Sequence, residues 1–247
     1  MRNSRLYSAT PLVANQRITL DAEQSRYLLR ALRMQAGDAL VIFDGQGGEY
    51  PATITGTQKN AVELELGEHD PHSSESPLQV RLVQGVSRGE RMDTVVQKAT
   101  ELGVHSIVPV ITEYSVVKLD QKRAAKRREH WQKIGQSACE QCGRNVVPTI
   151  EPVVTLGDWL GANLSNDGTR LLLSPTATTT LVDAPVDGDQ LDLLIGPEGG
   201  FSPQELDNAQ AIGFKAVSMG PRILRTETAA VAALSVCQAT WGDLKSE

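Results

Sequence analysis

The 247-residue chain lacks any run of the roughly 20 apolar residues that cross a bilayer, and its opening MRNSRLYSAT lacks the apolar stretch of a secretory signal. Cysteine is scarce. Cys139, Cys142 and Cys237 are an odd set of three, which argues against a disulfide framework and fits a reducing compartment. A cytoplasmic protein with no membrane partner is therefore expected. The glycine fingerprints of the common nucleotide-binding folds are missing too. FDGQGGEY (43–50) has no third glycine at G-x-G-x-x-G spacing and runs into strand-like EYPATI, so it reads as a hairpin turn, and no P-loop occurs. CEQC (139–142) stands alone: none of His69, His72, His105 or His130 lies at finger spacing from it, and it closes a helical pattern where redox cysteines open one. It reads as two packed thiols, and no metal site is expected.

Positive charge is in deficit, with a formal net charge of -6, which separates the chain from a simple nucleic-acid binder. Its distribution points elsewhere. Residues 1–35 carry Arg2, Arg5, Arg17, Arg26, Arg30 and Arg33 against only Asp21 and Glu23. Residues 118–133 carry Lys118, Lys122, Arg123, Lys126, Arg127, Arg128 and Lys133 against Asp120 and Glu129. Each cluster is either a solvated helix face or a surface that tracks phosphates; together they favour RNA or DNA.

At 40% hydrophobic residues the chain can bury a real core. ALVIF (39–43), EYPATITGT (49–57) and AVELEL (61–66) are short strands parted by turn residues, with one helix near 22–34. PHSSESP (71–77) breaks this pattern as a linker, so residues 1–70 form a small β domain and 78–247 a second domain. In the second, LQVRLVQGV, HSIVPVIT, LLLS, LDLLIG and AVSMG alternate with helices, which implies an α/β fold with a mostly parallel sheet covered on both faces. Ser87 and Glu90 stand at capping-box spacing ahead of a helical stripe from Met92 to Leu102.

LIGPEGGFS (194–202) is a buried strand that meets a bare-backbone turn. Pro197 sets the turn, and Gly199 and Gly200 permit positive φ and close approach of a ligand, so a valine at 199 is expected to block that approach. Ser202, Pro203 and Glu205 then start a helix as N-cap, N1 and N3. MGPRILRTETAA (219–230) repeats the arrangement, and LLLSPTA (171–177) supplies a third strand end. In an open parallel sheet such loops form the ligand crevice, here of a size for adenosine.

IGPEGGFSPQE and MGPRILRTETAA resemble the two hallmark stretches of the RsmE family of SPOUT methyltransferases, and SRGERMDTVVQKATELGV and CEQCGRN resemble its internal blocks. The likeness covers essentially the whole chain. It implies a PUA-like β-barrel RNA-binding domain, then a SPOUT α/β methyltransferase domain whose C-terminal strands form a deep trefoil knot. It implies S-adenosylmethionine as cofactor and methylation of N3 of a uridine in 16S ribosomal RNA of the small subunit. The expected cofactor-binding residues are Leu173, Ser174, Pro175, Ile195, Gly196, Pro197, Glu198, Gly199, Gly200, Met219, Gly220, Leu224, Thr226, Thr228 and Ala229. The family also implies a homodimer, with RNA held by one subunit near the cofactor of the other. The final helix, rich in small residues, needs a partner for its apolar stripe, in the same chain or in a second copy.

Methyl transfer to uracil N3 requires the imide proton to leave, so a cation must stabilise the uracil anion and a carboxylate must take the proton or orient that cation. Arg222, Arg225, Glu198 and Arg144 are the catalytic candidates, with Glu227 beside them; each is alternatively a structural ion-pair partner. RNA is expected on Arg2, Arg5, Arg26, Arg30, Arg33 and Arg88. Two other classes compete: a non-catalytic RNA-binding protein and a small-molecule nucleotide enzyme. The GPEGG turn argues against the first, since a scaffold needs no bare backbone at a sheet crevice, and the segregated arginines argue against the second.

Overall fold

The computed structural model describes residues 4–59, 61–163 and 168–244. Arg2 lies outside them. The chain divides into two compact units, Met1–Glu75 with Cys139–Val147, and Ser76–Ala138 with Pro148–Glu247.

The first unit contains β1 (Ser4–Tyr7), β2 (Arg17–Thr19), α1 (Ala22–Arg26), a π-helical turn over Tyr27–Ala31, β3 (Ala39–Phe43), β4 (Tyr50–Gln58) and β5 (Ala61–Leu66). Its five strands form one mixed sheet in the order β1-β3-β4-β5-β2, with β1 parallel to β3 and the other pairs antiparallel. Alternation along β5 turns Val62, Leu64 and Leu66 inward, where they meet Leu40, Ile42, Ile54 and Leu28 from the π-helical turn. Sequence periodicity missed β1 and β2, because runs of four and three residues are too short to show a period. The expected helix near 22–34 is broken: the α-helical hydrogen bonds give way to a wider turn closed by Leu32 N–H on Tyr27 O at 3.1 Å.

The second unit contains β6 (Gln79–Gly85), α2 (Arg91–Glu101), β7 (Ser106–Ile111), most of α3 (Gln121–Cys142), β8 (Thr149–Ile150), β9 (Val154–Thr155), α4 (Leu156–Ala162), β10 (Thr169–Leu173), β11 (Gln190–Ile195), α5 (Pro203–Ala211), β12 (Lys215–Val217) and α6 (Thr226–Thr240). All its strand pairs are parallel, in the order β12-β10-β11-β6-β7-β8, with β9 also on β7. Both faces are covered. Leu191, Leu193 and Ile195 of β11 pack with α2 and α6, while Leu194 turns to the face of α4 and α5. α6 buries Ala230, Ala233, Leu234 and Cys237 in this core, so its apolar stripe has an intramolecular partner. The Ser202/Glu205 capping box forms as expected, whereas that of Ser87 and Glu90 does not: Glu90 is itself the N-cap, without a side-chain bond, and Ser87 Oγ turns to Gly85 O. Among the described residues no helix is long and apolar enough to cross a membrane.

Candidate active site

The order β12-β10-β11 makes neighbours of the three strands whose carboxyl ends carry Ser-Pro or Gly-Pro turns. Their loops are therefore forced together. Ser174 N–H bonds Val217 O and Ser218 N–H bonds Thr179 O, both at 2.9 Å, so the loops after β10 and β12 are laced to each other. Around them lies a cleft of about 730 Å³, at the end of the sheet where open α/β proteins place their ligands.

Leu173, Ser174, Pro175, Ile195, Gly196, Pro197, Glu198, Gly199, Gly200, Met219, Gly220, Leu224, Thr226 and Ala229 line this cleft, together with Arg222 and Arg225. Thr228, expected with them, is exposed and is not part of the lining. Gly200 takes φ +71° and Gly220 φ +86°, conformations that an L side chain adopts only at a cost. Gly199 needs no side chain for a different reason from the expected one. A Cβ there would lie 2.8 Å from Tyr114 Cβ and 2.9 Å from Tyr114 O, so it would strike the turn after β7 and not a ligand.

Beneath the loops runs a buried polar chain. Gln84 Nε2 donates to Thr226 Oγ1 at 2.9 Å, and Thr226 Oγ1 donates to Gly196 O at 2.7 Å. This ties the end of β6, the start of α6 and the Gly-Pro turn into one frame. At the cleft wall Arg91, on the first turn of α2, donates to Glu198 Oε1 at 2.5 Å and reaches Glu227 Oε1 at 3.9 Å. Burial alone would raise the Glu198 carboxyl, but its own backbone N–H, Arg91 and the Arg88 N–H outweigh that and hold it below the ordinary range. Sequence reading missed Arg91. Its only signal was a place at a helix start after β6, and the adjacency of β6 to β11 that gives this meaning is non-local.

Arg144 belongs to the first unit. Only 5% of its side chain is exposed, and Nε and Nη2 donate to Glu75 Oε2 at 3.0 and 2.5 Å within the first unit. The CEQCGRN polar cluster is structural there: Glu75 also accepts from the Asn145 and Val146 N–H groups, and Glu140 accepts from Tyr7 N–H. Arg5, expected to meet RNA, is likewise enclosed. It is paired with Glu49, donates to Asn145 Oδ1 at 3.1 Å and lies over the Phe43 ring. Arg26, Arg30, Arg33 and Arg88 are exposed. CEQC holds a buried Cys139 and a half-buried Cys142, and no metal-holding cluster occurs among the described residues.

A second cleft, of about 430 Å³, is lined by the amino-terminal parts of β6, β7 and β11. Its cation, Arg81, is spent in a bidentate pair with Asp192 at 2.7 and 2.8 Å. It has no bare-backbone loop, and the chemistry belongs to the first cleft.

Residues 74–238 match the RNA methyltransferase domain family, and residues 20–67 match the RNA methyltransferase PUA domain family. The chain is 36% identical over 243 residues to the ribosomal RNA small subunit methyltransferase E of Buchnera aphidicola subsp. Schizaphis graminum, covering 98% of each chain. The solved structure of a ribosomal RNA small subunit methyltransferase E from Neisseria gonorrhoeae, bound to S-adenosyl methionine, is 38% identical with a TM-score of 0.91, over 99% of this chain and 100% of that one. A Legionella pneumophila protein solved with the bound cofactor SAM is 40% identical with a TM-score of 0.93, over 99% and 100% of the two chains.

Proposed function

We propose that this chain, which belongs to the ribosomal RNA small subunit methyltransferase E family, methylates N3 of a uridine in 16S ribosomal RNA with S-adenosylmethionine as donor. The observation that carries the reading is the cleft of about 730 Å³ made by three loops at the carboxyl ends of adjacent strands, two of them with glycine backbone in the lining. Its volume lies within the range of about 300–1,000 Å³ of small-molecule sites. The residues fit the cofactor: glycines leave the backbone of 196–200 open, apolar Leu173, Ile195 and Met219 offer a wall for a base, and Glu198 and Glu227 supply negative charge for an ammonium group. When bound, S-adenosylmethionine supplies an electrophilic methyl carbon on a cationic sulfur.

The chain's own residues then have distinct tasks. Arg91 holds Glu198 as a carboxylate at the cleft wall, which makes it a hydrogen-bond acceptor and an anion that orients a cation, and a weak base. Arg222 and Arg225, both exposed at the rim, are placed to stabilise the uracil anion or to hold a flanking phosphate. Positioning of N3 in line with the methyl carbon supplies much of the rate. Arg144 is paired with Glu75 in the first unit, so the tasks at this cleft are assigned to the residues that line it. No step needs a metal.

The same reading includes a PUA-like barrel, a trefoil knot and a homodimer, and places the reaction in the cytoplasm. The lacing of the 174–180 and 217–218 segments supports the knot, and Ile223, 87% exposed at the cleft rim, supports a covering partner. Sedimentation should give twice the 26.7 kDa chain, and a fully active monomer refutes the dimer.

The test is incubation of the purified protein with S-adenosylmethionine and unmodified 16S ribosomal RNA or small subunits. An N3 methyl replaces the imide hydrogen that pairs, so reverse transcription should stop at one uridine only when both substrates are present. Absence of cofactor binding in calorimetry, with no stop on either RNA form, overturns the proposal.

A further inference from the structure

The π-helical turn of the first unit combines three features that its sheet does not require. First, Arg26, Arg30 and Arg33, all exposed, stand within eight residues around the buried Ser25 and Leu28. None of the three is in an ion pair among the described residues. Second, two large apolar groups stand among them in the open: Tyr27 is 44% exposed and Leu32 37%. Third, Arg33 takes φ +56°, where glycine or asparagine would sit more cheaply. An arginine in that conformation carries a cost, which the Met34 N–H bond to Leu28 O that closes the turn helps to offset.

The platform is also held in place. Asp21 caps α1 by accepting from Gln24 N–H at 2.7 Å, Gln24 Nε2 donates to Tyr7 O at 2.7 Å, and Ser25 Oγ accepts from Val62 N–H at 2.9 Å. The wide turn lets Leu28 reach the core while Met34 N–H closes on Leu28 O at 3.0 Å. The exposed side is thus presented from a fixed base.

From this we infer that Tyr27 is a stacking platform for an unpaired base of the RNA, with Arg26, Arg30 and Arg33 holding the phosphates on either side; the inference rests on the proposed RNA-modifying function. An exposed phenol ring in a segment with three exposed arginines matches single-stranded RNA, whose bases are free to stack, better than a duplex, whose bases are already stacked. Arginines alone would track any polyanion. The ring adds the preference.

The probes are labelled single-stranded oligouridylate and a blunt RNA duplex, read by fluorescence anisotropy across a salt series. Tyr27→Leu keeps an apolar side chain and removes the π face. It should weaken single-strand binding by about 5- to 100-fold, leave the salt slope unchanged, and leave duplex binding at the parent's value. Tyr27→Trp should restore the loss. Circular dichroism and cofactor calorimetry verify that each variant is folded. Parent-like single-strand affinity in Tyr27→Leu overturns the inference, and so does an equal loss on duplex and single strand. A parent that binds neither RNA also overturns the inference, while the functional reading stands or falls separately on the methylation stop in 16S ribosomal RNA.

Discussion

Thr226→Val removes one hydroxyl and keeps the shape of the side chain, so it isolates the buried polar chain beneath the cleft. Thr226 is 5% exposed and Gln84 is fully buried, so water cannot replace the lost partner. Without the hydroxyl, the Gly196 carbonyl loses its 2.7 Å donor and Gln84 Nε2 keeps only its 3.1 Å bond to Gly85 O. An orphaned buried polar group costs about 1–3 kcal/mol, and the half-satisfied amide falls at the lower end. The methyl that replaces the hydroxyl returns up to about 0.8 kcal/mol. The net destabilisation is about 1–4 kcal/mol. For a chain of this size that lowers the melting temperature by about 2–15 °C.

The same substitution frees the Gly-Pro turn from the start of α6, so the loop spends less time in its binding geometry. Cofactor affinity should fall by about tenfold, which corresponds to about 1.4 kcal/mol of lost preorganisation. Differential scanning calorimetry and titration calorimetry read the two limbs separately. Thr226→Ser keeps the oxygen and should stay near the parent in both. If Thr226→Val melts within about 1 °C of the parent, the buried chain does not hold the loop and the reasoning fails.

Arg91→Met should lower stability at neutral pH by no more than about 1 kcal/mol, because the pair is partly exposed. Glu198 is held below its ordinary range, so its contribution is present at neutral pH and fades as pH falls through that lowered value; without Arg91 the acid-side decline should flatten, and parallel melting curves across that range count against the pairing. Ala at positions 26, 30 and 33 together should cut the salt slope of single-strand RNA binding by about two, and an unchanged slope removes these arginines from the interface. Cys139 and Cys237 are pushed up to about 12 by burial, so a thiol reagent at mildly alkaline pH should label Cys142 first and reach the other two only on unfolding; rapid labelling of Cys237 contradicts its place in the core.

What could be read from sequence was whatever a short window encodes. The Ser202/Glu205 cap, β3 and β5, and the ligand loops after β10, β11 and β12 all rest on residues within a few positions of each other. Even there the direction of a missing side chain escaped: Gly199 faces Tyr114, which arrives from a turn after another strand. Ser87 and Glu90 had the spacing of a cap and no cap, because Ser87 Oγ turned to Gly85 O.

The arginines make the limit clearest. Arg5 and Arg26 look alike in a basic segment, and nothing within ten residues of either separates them. Arg5 is withdrawn from the surface by Glu49, 44 positions away, and Asn145, 140 positions away, whereas Arg26 meets no such partner among the described residues. Arg144 is captured in the same way by Glu75, and Arg91 gains its role because β6 and β11 pair across more than a hundred residues. Charge segregation locates a candidate surface, but the supply of buried acids decides which of its cations remain available, and that supply is set by topology. A basic cluster should therefore be pruned by its long-range acids before any residue in it is assigned to a ligand. Pruned in that way, the described part of the first 35 residues leaves Arg26, Arg30 and Arg33 in the segment that carries Tyr27.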